Sequence, residues 1–182
     1  MHEEIEIKVM VENPEDVLEF LEKNGKYIET KNQTDNYYII PSKDFFAESP
    51  VKEYLRIREE ALNDQVAYHF CHYDKDGKLE KTDEYETKID DPKVLQLIFS
   101  KASLIKKITV SKKRTHFEYK GFRVLVDYID GLGSFIEVET ECVDRDYKKA
   151  KNNCLEVLKD LEANWKEASN MGYPDMLLSK IK

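Results

Sequence analysis

The sequence predicts an α+β fold in which about eight strands form an antiparallel sheet flanked by helices. Three observations support this class. Charged and apolar residues alternate in five separate segments, which is typical of strands. Turn-forming residues, such as Asn63-Asp64 and the run 74–77, separate neighbouring strands closely, as in a meander. Helix starts with a proline at the first helical position occur at Asn13-Pro14 and at Asp91-Pro92.

The first strand shows the alternation most clearly. In an extended chain alternate side chains share a face, so Glu4, Glu6 and Lys8 form a row while Ile5 and Ile7 cover the other face. A solvated surface strand has the same pattern. The interpretation of one strand therefore depends on whether other strands repeat it.

Four further segments repeat it. The rows are Arg56 and Arg58; Glu84 and Glu86, with Lys88; Lys112 and Arg114; and Glu137, Glu139 and Glu141. A closed sheet whose polar face points inward would gather these rows into a tunnel lined by carboxylates and cations. Such a lining is costly when empty and useful when it holds a metal and a polyanion.

The remaining elements follow in order. A helix runs from the cap Asn13 to Gly25. One or two strands, 27–40, precede the hairpin of 54–60 and 66–73. The Glu84 strand then leads into a second helix opened by Asp90-Asp91-Pro92. The predicted strands of the second half are 106–119, 122–128 and 134–142, so each half reads as a strand, a helix and a three-strand meander, which suggests two pseudo-repeated halves.

The C-terminal part is predicted to be helical. Apolar residues from Tyr147 to Trp165 recur at three- and four-residue steps, which indicates one long helix, 144–165, packed against the barrel wall. Residues 173–178 form an amphipathic tail that either closes one barrel end or meets a partner. The helices after about residue 144 and the strands together fit one domain, 1–182.

Composition excludes several classes of function. The net charge of −8 argues against binding to nucleic acid or to an anionic membrane. The acidic N-terminus predicts no signal peptide, and no apolar run is long enough to span a bilayer. Cys71, Cys142 and Cys154 lack metal-ligand spacing and suit a reducing cytoplasm. Both a monomer and a homodimer remain open.

The acidic and basic residues of the rows suggest two different roles, metal binding and phosphate binding. Mg²⁺ or Mn²⁺ binds carboxylate oxygens and keeps positions for water and phosphate. Two or three acids from the first and last rows would supply that site, and the basic residues would bind phosphate oxygens. The candidate metal ligands are Glu4, Glu6, Glu137 and Glu139. The candidate phosphate ligands are Lys8, Arg56, Arg58, Lys112 and Arg114.

The rows also resemble a known family. Glu4-x-Glu6-x-Lys8 resembles the ExExK signature of the CYTH superfamily, the triphosphate tunnel metalloenzymes. Four further segments are similar to family motifs in the family's order, and a fifth, 126–139, looks like its acidic L-D-x-V-x-G-L-G-x-F-x-E-I-E run. Those four are 35–38, 55–58, 84–86 and 112–114. The pattern is closest to the class IV adenylyl cyclase-like branch.

The resemblance implies an eight-stranded antiparallel closed β-barrel, the triphosphate tunnel, with a divalent metal on its glutamates. It implies catalytic roles for Lys8, Tyr37 and Asp127, and it adds Asp127, Glu84 and Glu86 as further metal candidates. For Asp127 the alternative is a structural arginine partner. Tyr37 either orients the nucleophile or fills the barrel mouth.

Three classes of function remain after the resemblance. The first is an enzyme that converts ATP to cyclic AMP and pyrophosphate, or one that hydrolyses tripolyphosphate, a nucleoside triphosphate or thiamine triphosphate. The second is a catalytically silent binder of polyphosphate or nucleotide. The third is an inert barrel with lipocalin-like topology and an apolar lumen, whose charged rows would face solvent.

Two positions depart from the family pattern. His69 stands where the family usually has a lysine, and Thr82 stands where it has an arginine. His69 is expected either to contact phosphate, most strongly when protonated, or to be a wall residue. The loss of these two fixed charges is the observation that favours the catalytically silent binder.

Overall fold

A computed structural model describes residues 3–141, 146–166 and 171–181. It contains eight strands and four helices within these ranges. The elements are β1 (Glu3–Met10), α1 (Pro14–Asn24), β2 (Lys26–Ile39), β3 (Glu53–Glu59), β4 (Gln65–Tyr73), β5 (Leu79–Lys88), α2 (Pro92–Lys101), β6 (Ile105–Tyr119), β7 (Phe122–Ile129), β8 (Gly133–Glu141), α3 (Tyr147–Asp160) and α4 (Tyr173–Ile181).

The strands form a closed antiparallel barrel in the order β1-β5-β4-β3-β2-β6-β7-β8, with β8 pairing back to β1. The predicted fold class is therefore confirmed, including the single long strand at β2 for which one or two were expected. The seam between β1 and β5 is the shortest pairing, with Glu3 opposite Asp83 and Glu4 opposite Thr82. No helix among the described residues is long and apolar enough to cross a membrane.

The strand order contains an internal two-fold relation. The unit β1-α1-β2-β3-β4 and the unit β5-α2-β6-β7-β8 have the same sequence of elements. If β1, β2, β3 and β4 are exchanged with β5, β6, β7 and β8, respectively, the same set of neighbouring strand pairs results. The layout of two repeated halves is thus present in the topology, and it makes the pair β4–β5 equivalent to the pair β8–β1.

The main hydrophobic core lies outside the barrel wall, between the sheet and the helices α1 and α3. Outward-facing residues of β1, β6, β7 and β8 pack there against Val17, Leu21, Cys154 and Leu158. The charged rows face the interior of the barrel, as described below, where a second buried cluster that includes Val110, Ile129 and Phe135 packs beside them. This arrangement contradicts the lipocalin-like alternative, because that alternative needs an apolar lumen and charged rows in solvent.

Two helix predictions need correction. The helix predicted over 144–165 begins at Tyr147 and ends at Asp160. Glu162 adopts a left-handed backbone (φ 51°), which stops the helix, and Trp165 then forms a β-bridge with Val11. Residues 142–145, which include Cys142, lie outside the described ranges.

The caps also differ. Asn13 stands at the N-cap of α1, but its side chain makes no capping bond. Its Oδ1 instead accepts a hydrogen bond from the backbone N–H of Asn164 (2.7 Å), which ties the segment after α3 to the barrel. Asp91 does cap α2, by accepting from the N–H of Val94 (3.0 Å). None of the residues of α2 is buried, and its apolar side chains Val94, Leu97 and Ile98 are exposed.

The position of the core outside the barrel predicts a contrast between two leucines. Leu21 is 0% exposed, whereas Leu62 is 99% exposed. We expect Leu21→Ala to lower the free energy of unfolding by about 2–5 kcal/mol, because a buried side chain is replaced by a cavity. Leu62→Ala should change it by less than about 0.5 kcal/mol. Urea denaturation measures both, and equal effects would contradict the assignment of the core.

Candidate functional site

The charged rows converge inside the barrel on one cavity of about 220 Å³. Every row predicted to face inward contributes side chains to the lining, but Lys88 and Glu141 are exposed and do not reach it, contrary to their predicted place in the rows. The side chain of Glu4 lies outside the described part of the structure. Tyr37, Thr82 and Arg123 add to the lining. The acidic and basic lining residues are Glu6, Glu84, Glu86, Glu137, Glu139, Lys8, Arg56, Arg58, His69, Lys112, Arg114 and Arg123.

Three carboxylates form an acidic triad, Glu6, Glu137 and Glu139. Glu6 lies opposite Glu139 in the register of β1 and β8. One oxygen from each of the three lies within 4.8 Å of the others. Hard divalent ions prefer such oxygen donors, so the triad fits Mg²⁺ or Mn²⁺. Three of the four predicted first-choice ligands are thus brought together.

Lys8 closes one side of the triad. Its Nζ lies 3.1 Å from Glu137 Oε1 and 3.3 Å from Glu6 Oε1. Burial opposes the charge on Lys8, but Glu6 and Glu137 outweigh it and raise its pKa well above the ordinary value. Lys8 therefore stays an ammonium group near neutral pH and acts as a fixed positive charge rather than as a base.

Two buried arginines are held in bidentate pairs, which we call the arginine forks. Arg58 donates from Nε and Nη2 to Asp35 (2.7 and 2.8 Å), and Arg114 donates from the same atoms to Asp127 (2.7 and 2.5 Å). Arg114 also contacts Glu137. Each fork uses two of five guanidinium N–H groups, so the planes are fixed while donors remain for a ligand.

Asp127 does not have the geometry of a metal ligand. Both its oxygens accept hydrogen bonds from Arg114, and Oδ2 also accepts one from the hydroxyl of Tyr173 (3.0 Å). The structure places it as the partner of an arginine, which is the alternative left open for it. It orients Arg114 and Tyr173, and both of these side chains line the cavity.

Asp35 lies among three cations, one of which, Arg56, also pairs with Glu86 (2.8 Å). Besides the fork with Arg58, it lies 3.7 Å from Arg56 and 3.7 Å from Lys112. Burial, Arg114 and Arg58 lower the pKa of Lys112 to about 7, although Asp35 opposes the change. This end of the cavity is therefore positively charged, with one lysine that titrates near neutral pH.

Tyr37 belongs to the wall as well as to the cavity. Its ring packs edge-on against Phe46 and Tyr54, with centroids 6.4 and 6.1 Å apart. Burial and the nearby Asp35 raise its pKa to about 12. The phenol thus keeps its proton at neutral pH, so it is a hydrogen-bond donor and not a base.

His69, Glu84 and Glu86 form a second group, the histidine cluster, on β4 and β5. Nε2 of His69 lies 3.1 Å from Glu86 Oε1 and Nδ1 lies 3.5 Å from Glu84 Oε1. Burial and Arg56 lower the pKa of His69 to about 4, so the imidazole is neutral at pH 7. The expected protonated phosphate contact is therefore not what this geometry favours. Thr82 is uncharged and contacts the sulfur of Cys71 (3.8 Å).

The C-terminal helix supplies residues that the motifs did not single out. Tyr173 is buried in the cavity, where its ring centroid lies 4.7 Å from Nζ of Lys8 and 5.4 Å from Nζ of Lys112. Asp175 accepts a hydrogen bond from the hydroxyl of Tyr54 (2.6 Å) and anchors α4. Of the two roles predicted for the tail, the structure shows closure of a barrel end. The amphipathic pattern of 173–178 was the available signal.

A closed antiparallel barrel with acids and bases inside defines a tunnel-type protein, and comparisons with known proteins agree. Residues 2–167 match the model of the CYTH domain. A Methanocaldococcus jannaschii protein named "Putative adenylate cyclase" is 34% identical over 160 residues, which cover 87% of this chain and 89% of the relative. The chain therefore belongs to the CYTH family, whose fold is a metal-dependent triphosphate tunnel.

Solved structures share the fold. A Pyrococcus horikoshii protein superposes with a TM-score of 0.81 at 24% identity, over 97% of this chain and 99% of that one. A Hippeastrum protein, described as having a dominant triphosphatase activity, superposes with a TM-score of 0.73 at 16% identity, over 99% of this chain and 96% of that one. At these identities the likeness concerns the fold alone.

Because three cations lie close to Asp35, its substitution is predicted to lower stability strongly. Asp35→Asn leaves Arg58 buried without its anion beside two further cations, so we expect the free energy of unfolding to fall by about 3–5 kcal/mol. Glu118→Gln removes the exposed partner of Lys26 (3.0 Å) and should cost less than about 1 kcal/mol. Chemical denaturation of both variants at pH 7 is the test, and a small loss for Asp35→Asn would refute the buried-charge account.

Proposed function

We propose that this protein is a divalent-metal-dependent enzyme that processes a triphosphate inside the barrel. The observation that carries the proposal is the convergence of two charged groups on one cavity. The acidic triad, which Lys8 and Arg114 contact, forms one part of the lining, and the three cations around Asp35 form another. A polyphosphate with a bound divalent ion has the complementary charges, so both parts of the lining would be neutralised together.

The residues divide the work as follows. The acidic triad holds Mg²⁺ or Mn²⁺, which when bound supplies Lewis-acid activation and charge neutralisation. The arginine forks and Arg56 bind non-bridging phosphate oxygens with their remaining N–H groups. Lys8 and Lys112, both close to the ring of Tyr173, add point charges. Phosphoryl chemistry asks mainly for this positioning and neutralisation.

For the reaction we propose cyclisation of ATP to cyclic AMP and pyrophosphate, supported by the family branch and by the name of the M. jannaschii relative. Hydrolysis of tripolyphosphate, a nucleoside triphosphate or thiamine triphosphate is the second candidate. It is favoured by the triphosphatase activity described for the Hippeastrum protein of the same fold. Binding without turnover is the third, favoured by the uncharged His69 and Thr82.

The domain organisation and the cellular compartment of the protein are part of the proposal. We propose that residues 1–182 work as one CYTH-type domain in the cytoplasm. Cys71 and Cys154 support this setting, because both are buried free thiols. Nucleic acid and membrane are not among the proposed partners, because the net charge is −8.

A substrate panel tests the function. Purified protein with Mg²⁺ or Mn²⁺ receives ATP, tripolyphosphate or thiamine triphosphate, and products are identified by chromatography. Cyclic AMP with pyrophosphate supports the cyclase, and orthophosphate supports the hydrolase. Calorimetric binding of tripolyphosphate without any product would support the silent binder and overturn the enzyme.

The acidic triad predicts which variants lose turnover. Glu6→Gln and Glu139→Gln each remove a proposed metal ligand, so we expect kcat/KM to fall by about 100-fold or more. Glu118→Gln, an acid of the outer surface, serves as the matched control and should keep the wild-type value. Full turnover by Glu6→Gln at unchanged metal concentration would refute the assignment of the metal site.

Lys112 predicts a pH dependence of ligand binding. Its pKa is lowered to about 7, so its charge is present below that pH and is lost above it. We expect the affinity for tripolyphosphate, relative to that of a Lys112→Arg variant, to fall by up to about tenfold per pH unit above pH 7. The arginine variant stays charged and corrects for ionisation of the ligand itself. A ratio that is constant from pH 6 to 9 in calorimetry would contradict the shift.

A further inference from the structure

The histidine cluster occupies a special position in the two-fold topology of the barrel. The acidic triad lies on the strand pair β8–β1, and the histidine cluster lies on β4–β5, which is the equivalent pair in the other half. One ligand atom from each of His69, Glu84 and Glu86 lies within 4.8 Å of the other two. Like the acidic triad, the cluster brings three potential ligand atoms together, but one donor is an imidazole nitrogen.

The contacts within the cluster differ for its two carboxylates. Glu86 is already neutralised, because Oε1 accepts a hydrogen bond from Nη2 of Arg56 (2.8 Å) and faces Nε2 of His69. Glu84 has no lysine or arginine within ion-pair distance among the described residues, and His69 is its only partner, at 3.5 Å. The unneutralised carboxylate and the free side of the imidazole therefore face each other.

We propose that His69 and Glu84 form a second divalent-metal site, in which Nδ1 of His69 and a carboxylate oxygen of Glu84 are ligands. Glu86 hydrogen-bonds the other ring nitrogen and fixes the ring, as carboxylates commonly do for metal-bound histidines. The site lies in the same cavity as the acidic triad, so phosphate oxygens of a bound polyanion would complete its coordination. This role in catalysis rests on the proposed function, whereas the binding of the metal does not.

The donor set also sets the choice of metal. Imidazole nitrogen favours Zn²⁺, Co²⁺ and Ni²⁺, whereas sites made only of carboxylate and water suit Mg²⁺ and Mn²⁺. The two halves of the barrel would thus prefer different ions. His69 stands where the family usually has a lysine, so the neutral imidazole lacks that positive charge. A metal ion bound by His69 would supply it instead.

The test is the NMR spectrum of histidine side chains in protein labelled with ¹⁵N-histidine. Zn²⁺ is added in the presence of excess Mg²⁺, which competes for sites made only of carboxylates. We expect one equivalent of Zn²⁺ to shift the ring nitrogens of one histidine. His69→Gln should remove that signal and weaken Zn²⁺ binding in calorimetry by about 100-fold, and Glu84→Gln should weaken it as well.

Matched variants make the outcome decisive. His72 lies on the same strand and pairs with Asp83 (2.6 Å) rather than facing the cavity, so His72→Gln should leave Zn²⁺ binding unchanged. Glu86→Gln should weaken binding by about 10- to 100-fold while the His69 shift persists. An unshifted His69, or equal Zn²⁺ affinity after His69→Gln in a protein with an unchanged melting temperature, would overturn the site.

The outcome is separable from that of the proposed function. Turnover with Mg²⁺ alone, lost in Glu6→Gln, supports the proposed function whatever His69 does. A His69 shift without turnover supports the second site and not the enzyme.

Discussion

Mutual neutralisation of buried charges is the interaction on which the rest of this structure depends. A closed barrel with ionic groups inside is tolerable only if each base has an acid close by, because an unpaired buried charge costs several kcal/mol. Lys8 lies beside Glu6 and Glu137, and the arginine forks bind Asp35 and Asp127. The larger apolar cluster is consequently placed outside the wall, under α1 and α3, and a smaller one around Phe135 and Tyr173 packs beside the charged cavity.

The buried charges are incompletely neutralised in two places. Asp35 is within ion-pair distance of three cations, and Glu84 has no lysine or arginine of the described residues within that distance. The pKa of Lys112 is lowered to about 7, and burial together with the acids near Glu84 raises the pKa of that carboxyl to about 7, although Arg56 opposes the change. The residual positive and negative regions are the two that a polyanion and divalent ions would neutralise.

Much of the barrel could be predicted from sequence because strand side chains alternate with a period of two. That periodicity places Glu6, Arg58 and Glu137 on one face without knowledge of any contact. Periodicity does not specify which charges meet across the cavity. The pairing of Asp127 with Arg114, and the contacts of the Tyr173 ring with Lys8 and Lys112, depend on residues that the period of two does not relate. The three- and four-residue spacing also does not show the left-handed backbone of Glu162, which stops α3, or the bridge that Trp165 then forms with Val11.

The central claim is that acids and bases from distant strands converge to hold a polyanion through a divalent ion. A crystal structure with Mn²⁺ and tripolyphosphate, with anomalous data at the manganese edge, tests it most directly. We predict an anomalous peak bonded to the acidic triad and phosphate density in contact with Arg58 and Arg114. Manganese and phosphate on the outer wall, with neither in the cavity, would contradict the account.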